Sequence, residues 1–181
     1  MGDNEDVNDA DPAAGTVADR AHILVDADAC PVKDEVYRVA GRMSVPVTLV
    51  ANNGFRTPRL QLSDGRPLVR VEIVPGTFDA ADDRIAELAA LLAGRGTRTV
   101  VVTADVPLAD RAVKAGAVAL KPNGDEWDAA NVSAALATRN AMEELRGGMA
   151  GMTGALGGPA PFGKADRSRF LQALDRVLGR R

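Results

Sequence analysis

The chain reads as a three-layer α/β fold, a doubly wound and mainly parallel sheet with helices on both faces and further helices at its C-terminal end. Three observations predict it. Short runs rich in Val, Leu and Ile recur at 22–27, 45–52, 68–74, 98–104 and 118–121. Segments with helical pattern separate most of them, an alternation that gives right-handed βαβ crossovers and a parallel sheet. The stretch RTVVVTA at 98–104 is apolar along most of its length, as a strand covered on both faces must be.

Taken in order, HILVDA (22–27) is a first strand, followed by a helix over 32–43 with Pro31 at a favoured first helical position. VPVTLVAN (45–52) is the second strand and ends in the polar stretch NNGFRTPR. In LVRVEIV (68–74), Val69, Val71 and Ile73 alternate with Arg70 and Glu72, the pattern of an edge strand with one wet face. FDAADDRIAELAALLAGRG then places Ile85, Leu88, Leu91 and Leu92 at helical spacing, with Gly94 and Gly96 near its end. A buried central strand (98–104), a short helix (106–117) and a last strand (118–121) complete the sheet. From Trp127 onward a long helix, a Gly-rich loop and a closing helix within DRSRFLQALDRVL follow.

At 181 residues the chain is long enough to bury a core without staples. Its first twenty residues hold six of the 25 acidic residues, one of the 22 basic ones and almost no large apolar side chain, so residues 1–20 are expected to be a disordered acidic tail. The remainder carries about +2 and divides into the α/β domain (21–146), the Gly-rich loop (147–163) and a C-terminal helix (164–181) packing on the same domain. One cysteine excludes an internal disulfide. The absence of a signal-peptide pattern or an eighteen-residue apolar run makes the cytoplasm the expected compartment. A single histidine, His22, excludes sites that need two imidazoles, such as HExxH zinc sites.

The chemistry-bearing signal is carboxylate. In open parallel sheets a site forms outside the carboxyl ends of the strands, and three aspartate clusters fall at such ends or at helix starts. These are Asp26 with Asp28, Asp79 with Asp82 and Asp83, and Asp105 just after VVVTA. On an extended strand Asp26 and Asp28 would share a face roughly 7 Å apart. Carboxylates that close repel by roughly 4 kcal/mol per pair at an effective dielectric near 20, which calls for a cation or a proton. Mg²⁺ or Mn²⁺ is the expected ion, since hard cations take oxygen ligands and keep several waters.

Each acid also has a plainer reading. Asp79 and Asp105 precede helices that an N-cap carboxylate would stabilise by about 1 kcal/mol, and Asp82 stands where a capping box puts its acid. Asp83 fits a solvated first-turn acid favoured by the helix dipole. Cys30, before Pro31, reads as a small packed residue, because no imidazole partner is at hand beyond His22 at the far end of the strand.

VDADACPVKDEV, FDAADDRI, TADVPLADRAVKAGA and GGPAPFGKADRSRFLQAL, in that order over residues 22–178, resemble the YaiI/YqxD family of uncharacterised bacterial proteins. More distantly the chain resembles PIN-like nuclease domains, with Asp26 ending the first strand, Asp82 or Asp83 opening a central helix, and Asp105 following Thr103. The pattern usually has Gly two residues before the position of Asp79; here Thr77 stands there, with Gly76 one earlier. The PIN-like resemblance implies a Mg²⁺- or Mn²⁺-dependent phosphodiesterase acting on RNA or another nucleic acid, with Asp26, Asp82 or Asp83, and Asp105 in catalytic roles; the carboxylate clusters themselves make Asp26, Asp28, Asp82, Asp83 and Asp105 the catalytic candidates and add Asp79 to them as metal ligands.

Phosphate contacts should surround the carboxylates: Lys33, Asn52, Arg56, Arg59 and Thr103 are the candidates to contact substrate, with Arg66 and Arg70 gathered in the same stretch as Arg56 and Arg59, and Lys114 and Lys121 coming, like Lys33, from stretches near the proposed mouth. Phe55 and Trp127 are the aromatics that base stacking could use. Two alternatives start from the same residues. A haloacid-dehalogenase-like phosphatase would use Asp26 as nucleophile and Asp28 as acid, with Thr103, Lys121, Asp125 and Asp128 in a permissible order. A non-catalytic module would use the fold to hold RNA or a protein partner.

Overall fold

The strands richest in aliphatic residues lie where both faces are covered. In the computed structural model, which describes residues 21–28, 30–76, 79–148 and 162–180, β1 (Ala21–Asp26) and β4 (Arg98–Val102) pair in parallel at the centre of the sheet. β2 (Val47–Ala51) and β3 (Val69–Ile73) extend it on one side. β5 (Val118–Leu120) and β6 (Glu126–Trp127) extend it on the other. The order is β3-β2-β1-β4-β5-β6, with only β6 antiparallel. β3 is an edge, as its alternation predicts, with Arg70 exposed; at its end the alternation fails, Ile73 being exposed and Glu72 half-buried against Arg84.

Five helices are described: α1 (Lys33–Met43), α2 (Ala80–Gly94), α3 (Val106–Lys114), α4 (Ala129–Gly148) and α5 (Lys164–Gly179). Period-two alternation along β1 and β4 divides the core in two. Ile23, Val25, Leu49, Val100 and Val102 meet Val36 and Val39 of α1 and Phe170, Leu174 and Val177 of α5. Leu24, Val50, Val101 and Ala119 face the other way, onto Ile85, Leu108 and Val132. On that second face α2 and α3 approach through Ala81, Ala89, Ala109 and Ala112, all buried.

Three details differ from the sequence reading. β1 ends at Asp26, and helix α1 begins at Lys33 with Pro31 in the turn before it. The strand at 118–120 is not the last: two residues of β6 fold back beside it through the turn at Lys121–Asp125, too short a strand to leave a periodic signal. The third concerns the placement of basic residues and is taken up with the site. The tail at 1–20 and most of the Gly-rich stretch lie outside the described residues. Among those described, no helix is long and apolar enough to cross a membrane.

The closing helix is tied to α1 by charge as well as by apolar packing. Arg42 pairs with Asp175 at the surface, and the Arg167 guanidinium reaches both oxygens of the buried Glu35 carboxylate at 3.0 Å. Truncating Arg167 leaves that carboxylate buried without its cation, so Arg167→Ala is expected to cost about 2 kcal/mol in urea unfolding. The double replacement Glu35→Met with Arg167→Met should recover most of the loss, since it removes the charge along with its partner.

Candidate active site

From β1 the chain winds outward through β2 and β3, then returns to lay β4 on the opposite side of β1. That reversal puts a topological switch point at the carboxyl ends of β1 and β4, the place where doubly wound sheets bind ligands. Asp26 ends β1 and projects on the same face as Leu24, while Thr103 and Asp105 follow β4. The buried Thr103 hydroxyl donates to Asp26 Oδ2 at 3.2 Å and accepts the Asp105 N–H at 3.0 Å, locking the two loop starts together.

The first turn of α2 brings Asp82 to the same mouth. Burial pushes its carboxyl up to about 6, with Asp105, Asp26 and Asp79 adding repulsion and Arg111 opposing it. Burial also raises Asp26 above the ordinary carboxylate range, the Thr103 hydrogen bond pulling it down and Asp28 and Asp105 pushing it up. Acids from β1, α2 and the β4–α3 loop therefore sense one another across the mouth. The remaining polar group of note is the Asn52 side-chain oxygen at the end of β2, buried without a hydrogen-bond partner.

A family model described as "Uncharacterized BCR, YaiI/YqxD family" matches residues 24–180. The chain belongs to this family. A UPF0178 protein of Sphingopyxis alaskensis is 52% identical over 158 residues, spanning 87% of this chain and 93% of its own length. UPF0178 proteins of Rhodospirillum centenum, 49% identical over 86% of this chain and 94% of theirs, and of Cereibacter sphaeroides, 48% identical over 87% and 89%, are similar along the same span. No solved structure matches.

In this YaiI/YqxD chain the other sequence-derived candidates are placed unequally. Asp28 lies beyond the strand in a bend, so the shared-face argument does not apply to it; its carboxylate accepts the Asn52 N–H at 2.9 Å. Asp79 occupies the N-cap of α2 but makes no side-chain cap bond and is exposed. Asp105 does cap α3, accepting the Leu108 N–H at 2.8 Å, with its second oxygen 3.4 Å from Arg139. Asp83 turns outward to Arg111 at 2.8 Å. Among the described residues no three acids, imidazoles or thiols are arranged as a ready metal-ligand group.

Of the basic and polar candidates, Lys33 donates to the Ala27 carbonyl at 2.7 Å and lies over the Phe55 ring. Arg56 lines a shallow depression over α1 with Tyr37 and Leu60, and Arg59 is exposed on the same loop. Arg66 and Arg70 do not surround the carboxylates: they sit at the opposite edge of the sheet, because β3 runs parallel to β1 and both residues precede or open it. Lys114, at the end of α3, pairs with Asp110. Trp127 is buried under Lys121, 3.8 Å above its ring, and burial pushes the Cys30 thiol up to about 11, so it stays protonated at neutral pH. Sequence reading missed Arg111 and Arg139, whose approach to Asp83 and Asp105 depends on helix packing with no local motif to announce it.

Proposed function

We propose that the carboxylate mouth is a divalent-cation site that hydrolyses phosphodiesters of RNA or another nucleic acid. The observation that carries this reading is that the Thr103 hydroxyl ties Asp26 to the Asp105 backbone at the switch point, with Asp26 raised by burial and by Asp28 and Asp105, and Asp82 raised by burial and by Asp105, Asp26 and Asp79. Acids held in mutual repulsion destabilise the apo fold and favour a cation. The donor set suits a hard ion, since every member is an oxygen, and Mg²⁺ or Mn²⁺ is usually held by one or two carboxylates with water and substrate phosphate. Asp26 and Asp82 would hold the ion, with Asp105, Asp28 and the unpartnered Asn52 oxygen nearby and water completing its shell.

A bound divalent ion supplies charge neutralisation for the phosphodiester and eases deprotonation of water. The chain's own contributions follow from the geometry. Thr103 fixes the Asp26 carboxylate and the Asp105 backbone in one orientation, so neither must be ordered when substrate arrives. The Asp82 carboxylate, at the mouth, would orient the attacking water, whose proton passes by way of solvent to the departing oxygen as the phosphorus–oxygen bond to the leaving group breaks. Arg139 and Arg111, at the rim, can exchange a carboxylate for a substrate phosphate. Arg139→Ala is expected to raise KM for RNA by roughly tenfold with a smaller change in kcat, the mark of lost phosphate binding.

A screen of the full chain with Mn²⁺ or Mg²⁺ against RNA, single-stranded DNA and phosphomonoesters tests the reading. Metal-dependent cleavage of internal phosphodiesters without a covalent intermediate is expected. Trapping an aspartyl-phosphate on Asp26 would replace it with a phosphatase of the haloacid-dehalogenase kind. RNA binding without turnover, unchanged by Asp28→Asn or by metal, would replace it with a binding module.

A further inference from the structure

At the amino-terminal edge of the sheet, the end away from the carboxylates, a cavity of about 400 Å³ opens between the strands and the last turn of α2. The ladders align Leu24 with Thr48 and Thr48 with Arg70, so Thr48 and Arg70 share the face of β2 and β3 that looks toward α2. His22, two residues before Leu24, joins them, its Nε2 lying 2.9 Å from the Thr48 hydroxyl. Arg95, just past α2, closes the cavity from the other side, and Leu62 and Leu92 give it apolar walls. Arg66 brings a third guanidinium, engaged with Asp64.

Among the described residues neither Arg70 nor Arg95 has a carboxylate partner. Guanidiniums converging on one cavity repel, which an anion between Arg70 and Arg95 would relieve. Burial and the neighbouring Arg70 hold the His22 imidazole down to about 4, so at neutral pH it is a hydrogen-bonding group and not another cation. Arginine forks match phosphate oxygens in shape and charge, the threonine hydroxyl can donate to a further oxygen, and the apolar walls suit a flat organic group. The volume falls in the range of small-ligand sites.

We propose that this cavity binds a nucleotide-sized phosphomonoester, its phosphate between Arg70 and Arg95 and its organic part against Leu62 and Leu92. The site is separate from the carboxylate mouth and does not depend on a metal there.

Calorimetric titration of the full chain in EDTA with adenosine 5′-monophosphate, inorganic phosphate and adenosine tests it. The monophosphate is expected to bind one site, inorganic phosphate to compete with it, and adenosine to give no saturable heat. Arg70→Ala and Arg95→Ala should each weaken the monophosphate by roughly tenfold or more, the loss of one charge-assisted hydrogen-bonding partner. Asp26→Asn should bind it as the unchanged chain does, which separates this site from the carboxylate mouth. Adenosine binding as tightly as its monophosphate, no saturable binding at millimolar monophosphate, or full affinity in the folded Arg95→Ala protein would each overturn the proposal. Should Arg70→Ala fail to fold, Arg70→Gln and Arg95→Ala carry the same comparison.

Discussion

Asp26→Asn is expected to abolish Mn²⁺ binding, to lower phosphodiester cleavage by roughly a hundredfold or more, and to raise the melting temperature of the metal-free protein at pH 7. The substitution keeps the shape of the side chain and an oxygen that can still accept the Thr103 hydroxyl, so the fold loses little while the mouth loses one charge. The same sign holds for Asp82→Asn: removing the acid that burial and three neighbouring aspartates push up to about 6 should stabilise the apo protein. Allowing for solvent screening of a partly exposed group, about 1 kcal/mol, or about 3 °C in Tm, is the expected size. Because the folded values of Asp26 and Asp82 lie above the unfolded value, their contribution is complete below about pH 3.8 and is lost as pH rises through the folded values, about 6 for Asp82. Their contribution to metal-free stability should therefore fall between pH 4 and 7, with Asp82→Asn flattening that slope and Mn²⁺ offsetting it at neutral pH. Thermal melts with and without Mn²⁺ decide the matter. An equal Mn²⁺ shift in Asp26→Asn and the unchanged chain would remove the cation site.

How much of this was legible in the sequence depended on whether the signal was local. The existence and direction of β1 and β4 were, to within a residue or two at their ends, because their aliphatic runs stop at polar residues, and the rule for open sheets then aims both carboxyl ends at one switch point. The cap role of Asp105 was also readable, since an aspartate just before a Pro-containing helix start is a favoured N-cap. Asp28 was misread because period-two reasoning assumes the strand continues, and β1 stops at Asp26 to turn toward α1. Asp83 looked equivalent to Asp82, yet one residue on a helix is about 100° of rotation, enough to send it to Arg111 and leave Asp82 in the mouth. Arg66 and Arg70 were assigned to the wrong end of the sheet for a simple reason: a cluster of basic residues gives no direction until the strand polarity is known.

Gly124→Ala is expected to destabilise the protein by about 3 kcal/mol, lowering Tm by about 10 °C, although it changes one methyl group in a surface turn. The turn at Lys121–Asp125 joins β5 to β6, closed by the Lys121 N–H to the Asp125 carbonyl at 2.8 Å and the Gly124 N–H to the Lys121 carbonyl at 2.9 Å. Gly124 holds φ at +94°, which side chains disfavour. A Cβ there would also stand 2.7 Å from the carbonyl carbon of Arg169, 2.8 Å from its oxygen and 2.9 Å from the Phe170 nitrogen. Those are helix backbone atoms, with no flexible end to swing aside, so α5 must move. It cannot move cheaply, since Phe170 is fully buried against the sheet and Leu174 and Val177 follow it into the same layer. Gly65→Ala provides the control: φ is +83° there too, but nothing lies within 4 Å of the added atom, so only the conformational cost of about 1 kcal/mol applies. Urea unfolding of the two variants separates backbone strain from steric displacement, and amide exchange should show lost protection in α5 for Gly124→Ala alone. Equal destabilisation in both would mean that the turn and the closing helix are not seated on one another, and that α5 is held by its apolar face and its Glu35 and Asp175 ion pairs alone.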